Sequence, residues 1–107
     1  MESSHVRAAP RYLLTVDIEL TDLQSGIKIR AKTKNLSKFG CGIDTLKPLS
    51  KGAKLRIELF HRDDYLVANA RVAYSNANSG MGVVFIGVEP DDERVLDEWL
   101  VELRGSN

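Results

Sequence analysis

The chain reads as mainly β: a six-stranded antiparallel β-barrel with a C-terminal α-helix. Three observations lead there. Apolar and polar residues alternate through several short runs, the mark of half-buried strands. Clusters of Gly, Asn, Asp, Pro and Ser separate the runs as turns. The apolar period then changes from about 2 to about 3.6 near the end of the chain, which marks an amphipathic helix that needs a sheet to cover.

Residues 1–11 form a polar, flexible arm that includes Pro10. A first strand runs from Tyr12 to Leu20, with Leu14, Val16, Ile18 and Leu20 on one face. Thr21 to Gly26 is a turn cluster. The second strand runs from Ile27 to Lys34, with Ile27, Ile29 and Ala31 facing one way and Lys28, Arg30, Lys32 and Lys34 the other. A short third strand occupies Cys41 to Asp44, and Asn35 to Gly40 is the bend before it. Leu55, Ile57 and Leu59 mark the fourth strand; Tyr65 to Tyr74 and Met81 to Val88 are the fifth and sixth. The helix spans about residues 90–104. Val95, Leu96, Trp99, Leu100 and Leu103 make its apolar stripe, Pro90 suits its first turn, and Asp91, Asp92 and Glu93 favour its positive end. The barrel with its helix thus occupies residues 12–104. Six strands and a helix fit a small barrel with a helical plug.

Composition narrows the function. At 107 residues the chain is one domain with a single core. No segment is apolar enough for a membrane span, so no membrane insertion is expected. The start, Met1-Glu2-Ser3-Ser4-His5, lacks the features of a signal peptide, and one cysteine cannot form an internal disulfide. Both fit a cytoplasmic protein. A net charge of zero argues against DNA or RNA as partner. Charge is unevenly placed, however: Glu89 to Arg104 holds seven acids and two arginines, leaving a mildly cationic body that suits a small dianion.

Two patterns carry the chemistry. Arg7-Ala8-Ala9-Pro10-Arg11 sets two arginines four residues apart, and Asn35-Leu36-Ser37-Lys38-Phe39-Gly40 follows one hairpin later. In that order, R-x-x-x-R and N-x-S-x-x-G, they resemble the PilZ domain family, and the resemblance runs from about Val6 to Leu103. PilZ domains are bacterial receptors for the second messenger cyclic di-GMP and have a barrel fold of this kind. The resemblance implies a ligand-binding site made of Arg7, Arg11, Asn35, Ser37, Gly40 and Tyr74. It also implies no cofactor beyond the cyclic di-GMP ligand, no catalysis, and a protein partner whose identity the sequence does not specify.

The residue types suit that ligand. Arginine presents a planar fork that fits guanine O6 and N7, or two phosphate oxygens. On an extended arm, Arg7 and Arg11 reach points up to about 13 Å apart. Asn35 can both donate to and accept from a purine edge. Ser37 adds a small hydroxyl. Gly40 permits positive φ and close approach of a ligand to the backbone. The same Asn, Ser and Gly also suit a plain turn. The family more often carries Asp where Asn35 stands, and Asn lacks the charge that would strengthen a bond from guanine N1–H. Tyr74 suits either stacking on a base or an ordinary cross-strand contact.

Trp99 belongs to the core stripe, and Cys41 is a small buried residue rather than a nucleophile. His5 and His61 have no metal-ligand spacing. Asp63-Asp64 and Asp91-Asp92 sit at a turn and a helix start, where solvation or capping explains them. No catalytic constellation emerges. Two other functions remain open: a PilZ-like adaptor that acts through protein contacts without nucleotide, and a small barrel for single-stranded nucleic acid. The paired motifs weigh against the first, and zero net charge with few aromatics weighs against the second.

Overall fold

A buried threonine divides the first predicted strand. In the computed structural model, which describes residues 9–105, that segment forms β1 (Tyr12–Leu13) and β2 (Asp17–Asp22). Both pair with the same side of β3 (Lys28–Ser37), β2 along its first half and β1 at Asn35 and Leu36. Between them Thr33 takes over. Its Oγ1 accepts from the Val16 N–H at 3.0 Å and donates to the Leu14 carbonyl at 2.6 Å. Its own N–H donates to the Val16 carbonyl at 2.9 Å. The hydroxyl thus satisfies two backbone groups that the broken ladder leaves without strand partners. The predicted alternation survives the break, since Leu14, Val16, Ile18 and Leu20 still face inward.

The remaining strands are β4 (Gly40–Asp44), β5 (Lys54–His61), β6 (Asp64–Asn76) and β7 (Gly80–Gly87), followed by α1 (Pro90–Gly105). Six strands run antiparallel in the order β3, β2, β5, β6, β7, β4, and β4 pairs back onto β3 to close the ring. Closure removes free sheet edges. The predicted bend at Asn35 to Gly40 is tighter than expected: Asn35 to Ser37 belong to β3, and only Lys38 and Phe39 turn the hairpin. Ile27 also departs from expectation. It precedes β3 in the turn and is 60% exposed, so Ile29 and Ala31 supply the partly buried apolar contacts there.

Alternate residues of every barrel strand fill the interior. Leu20, Leu36, Ile43, Leu55, Ile57, Leu59, Leu66 and Met81 are fully buried. The helix adds Leu96 and Trp99 to this core, with the Trp99 ring edge-on to His61 at 5.2 Å. The helix is tied down at its start. β7 pairs β6 only from Asn69 onward, so the Val67 N–H has no β7 partner; Asp92 Oδ1 accepts it at 3.0 Å. The acidic first turn that suits the helix dipole therefore also anchors the helix to the barrel.

Two core positions constrain closure. Gly40 has no positive φ; a Cβ there would collide with the Val83 carbonyl oxygen. The close approach that requires this glycine is that of β7. Next to it, Cys41 is 1% exposed, and burial pushes its thiol pKa up from 9.0 to about 12, with the Arg11 charge pulling weakly the other way.

Three outcomes follow. Thr33→Val keeps the shape but strips two backbone groups of their partner, and should lower unfolding free energy by about 1–3 kcal/mol in urea titration, with Thr33→Ser costing less. Gly40→Ala should overpack the β4–β7 seam at a cost of about 1–3 kcal/mol, read as a fall in melting temperature. The Cys41 thiol should resist a thiol-specific reagent at pH 8 until the protein unfolds. A raised thiol pKa stabilises the native state fully below pH 9.0, and that contribution should decline as pH rises towards about 12.

Candidate functional site

The kink at Thr33 has a second half. Opposite β4, the register of β3 shifts between Thr33 and Asn35, so Lys34 is an extra residue in a β-bulge. Beyond the bulge, Asn35 pairs with Gly42 on β4, Gly42 with Gly82 on β7, and Gly82 with Tyr74 on β6. On the far side Asn35 pairs with Leu13 of β1. One row of paired residues therefore crosses five strands, from Leu13 to Tyr74. Neighbouring residues on these strands, Leu36, Cys41, Ile43, Met81 and Val83, point into the core, so this row faces outward.

The two glycines keep the row low. A Cβ on Gly42 would meet the Asn35 amide, with Nδ2 at 2.8 Å, and a Cβ on Gly82 would run into the Tyr74 ring. Asn35 and Tyr74 lie over the glycines from opposite ends. Asn35 Oδ1 accepts from the Gly42 N–H at 2.9 Å and from Arg11 Nη1 at 3.2 Å. The amide oxygen is thereby committed to the protein, and the Asn35 NH₂ group has no partner among the described residues. Tyr74 is 48% exposed, so its phenol covers a glycine while remaining open to a second planar group.

Of the residues singled out in the sequence, Arg11 and Asn35 are in direct contact, and Tyr74 joins them through the glycine row. Ser37 and Gly40 sit at the hairpin end of the same two strands. Ser37 is 5% exposed; its Oγ accepts from the Phe39 N–H at 3.2 Å and donates to the Gly40 carbonyl at 3.3 Å. It shapes the hairpin that presents Asn35. Gly40 seats that hairpin against β7. Arg7 lies outside the described residues. Gly42 and Gly82 stand outside the sequence expectations, yet each follows another glycine by two residues, as Gly40-Cys41-Gly42 and Gly80-Met81-Gly82, and glycine inside a strand marks close approach of another group.

A groove of about 740 Å³ lies elsewhere, between the β5–β6 turn and α1. Glu93, Asp97, Glu98 and Glu102 line it and make it unsuited to a dianion. Among the described residues no group of His, Cys, Asp and Glu side chains is arranged to hold a metal ion, and no helix is long and apolar enough to cross a membrane.

The fold is shared with solved structures. The PilZ domain of YcgR from Escherichia coli, determined with c-di-GMP, superposes with a TM-score of 0.76 at 19% identity, covering 95% of this chain and 94% of that one. The PilZ domain of CeSA from a cellulose-synthesizing bacterium gives 0.71 at 16% identity, with 90% and 99% covered. MrkH, a c-di-GMP-dependent transcription regulatory factor, gives 0.74 at 23% identity; 94% of this chain matches 52% of MrkH, so the chain spans about half of that protein. A comparison with curated protein sequences gives no match. The sequence itself matches the PilZ domain over residues 5–102, a span that holds the arginine pair, the N-x-S-x-x-G hairpin, the closed barrel and nearly all of its helix. The chain belongs to the PilZ domain family, a c-di-GMP-binding family whose members act as adaptors or regulators.

Proposed function

We propose that this protein is a non-catalytic receptor for cyclic di-GMP that relays ligand level to a partner protein in the bacterial cytoplasm. The observation that carries this reading is the outward row Arg11, Asn35, Gly42, Gly82, Tyr74: a charged fork and an amide donor over one glycine, and an aromatic face over the next. The ligand has matching parts. Its phosphodiesters and guanine edges take bidentate arginine contacts, the Asn35 NH₂ donates to a purine acceptor, and a guanine stacks on Tyr74. Arg7, four residues before Arg11, supplies a second fork from the arm at residues 1–11. Ser37 and Gly40 act by holding the hairpin in shape. The relatives named above support the ligand: one is a PilZ domain solved with c-di-GMP, another a c-di-GMP-dependent regulator.

The deciding experiment is calorimetric titration with cyclic di-GMP, with GTP and a short oligonucleotide as controls. Saturable binding of cyclic di-GMP alone supports the receptor. No binding of any of the three would favour an adaptor that works through protein contacts. Tight binding of the oligonucleotide would favour a nucleic-acid barrel.

Arg11→Ala and Arg7→Ala should each weaken cyclic di-GMP binding about tenfold or more, the worth of a lost bidentate contact. Because Arg11 is exposed and bonded only to Asn35 among the described residues, its removal should leave the ligand-free melting temperature nearly unchanged. Asn35→Asp should bind several-fold more tightly. It keeps an oxygen for the Gly42 N–H, turns the Arg11 contact into an ion pair, and offers guanine N1–H and N2–H a charged acceptor. Equal or weaker binding by this variant would show that the NH₂ donor bond it loses is worth at least as much as the charged acceptor it gains.

A further inference from the structure

The cations of β3 are not equivalent. Lys28 and Arg30 face Glu19 of β2 at 3.9 and 3.7 Å, and Lys32 meets Asp17 at 2.7 Å. The Lys32 contact holds the Asp17 carboxyl below its usual pKa. Lys34 continues the same outward series, but it falls where β2 has already broken away, and no carboxylate of the described residues pairs with it. Its ammonium instead crosses β4 and donates to the Ser79 carbonyl at 2.6 Å.

That contact joins two features of the site. Lys34 is the bulge residue directly before Asn35, so its stem lies beside the glycine floor. Ser79 closes the β6–β7 turn, five residues beyond Tyr74. The turn is otherwise internally bonded: Asn76 Oδ1 accepts from the Asn78 N–H at 2.9 Å, and the Asn76 carbonyl accepts from the Ser79 N–H at 3.2 Å. Lys34 is the side chain that ties it to β3. A lysine held by one neutral carbonyl at a water-exposed position gains less there than from a phosphate, whose full negative charge adds Coulomb attraction to the hydrogen bond. Lysine's flexible stem makes the exchange of partners easy.

We infer that Lys34 is a third cation of the anion site and a latch: it holds the β6–β7 turn in the free protein and swings to a phosphodiester of the bound dianion, releasing the turn. This rests on the receptor reading above and adds a route from ligand to surface. The turn that loosens on binding is then the element whose change a partner can read.

The test combines calorimetry with hydrogen–deuterium exchange on wild type, Lys34→Gln and Lys34→Arg, using cyclic di-GMP as the probe. Lys34→Gln should bind about fivefold more weakly, with a shallower salt dependence, while Lys34→Arg retains affinity. In the wild type, amides of residues 76–80 should exchange faster when ligand is added. In Lys34→Gln they should already be fast without ligand and change little on binding. Equal affinity for wild type and Lys34→Gln, or a turn whose exchange in wild type ignores the ligand, overturns the latch while leaving the receptor intact. A wild type that binds no cyclic di-GMP overturns the receptor reading, and the latch falls with it.

Discussion

The site depends on one hydroxyl. Thr33 is 1% exposed and holds the Val16 N–H and the Leu14 carbonyl together where the ladder between β2 and β3 parts. Without that bridge, two backbone groups would be buried without partners, and an uninterrupted strand would be the better solution. With it, the chain bends away after Leu13 and rejoins β3 at Asn35 and Leu36. Arg11 is delivered to the Asn35 amide by this detour. The opposite edge of β3 bulges at the same place, which turns both Lys34 and Asn35 towards the outer surface. One residue in the core thus sets the position of three polar side chains on the outside.

Glycine performs the complementary task. Where ordinary strands would raise side chains, Gly42 and Gly82 leave a level surface, and Asn35 and Tyr74 fold down over it. Gly40 and Gly80 act differently. Each has a backbone carbonyl where a Cβ would stand, from Val83 and Ile43 respectively, so they permit the tight seam between β4 and β7. The barrel is closed by one pair of glycines and floored by the other. Electrostatics follow the same division of labour. The acids of α1 serve the helix dipole and, through Asp92, the unpaired edge of β6. Glu19 and Asp17 neutralise the cations of early β3. Two cations that have no carboxylate partner among the described residues, Arg11 and Lys34, lie beside the glycine floor.

Much of this was legible from the chain. Period-2 alternation located every barrel strand because a closed barrel buries one face of each strand and wets the other. The change of period found α1, with Leu96 and Trp99 on its buried side. The two motifs, each local in sequence, meet in the fold where Arg11 contacts Asn35. The reasons given for individual residues fared less well. Gly40 was read as a residue for positive φ or ligand approach, and it instead admits the Val83 carbonyl. Ser37 was read as a ligand hydroxyl, and its oxygen is engaged by Phe39 and Gly40. The Val83 contact exists only after strands distant in sequence are brought together, whereas the Ser37 bonds are local to the hairpin.

The sequence by itself determined which residues face the core, how many strands surround it, where the helix begins, and that arginines and an N-x-S-x-x-G hairpin belong to one family. Those properties depend on local periodicity and on near neighbours. The tertiary structure alone decided that a threonine would break a continuous apolar pattern, that β3 would bulge at Lys34, and that Gly42 and Gly82 would fall in register between Asn35 and Tyr74. Register across closing strands is fixed by the hydrogen-bond accounting and packing of the whole ring, so no segment read alone contains it.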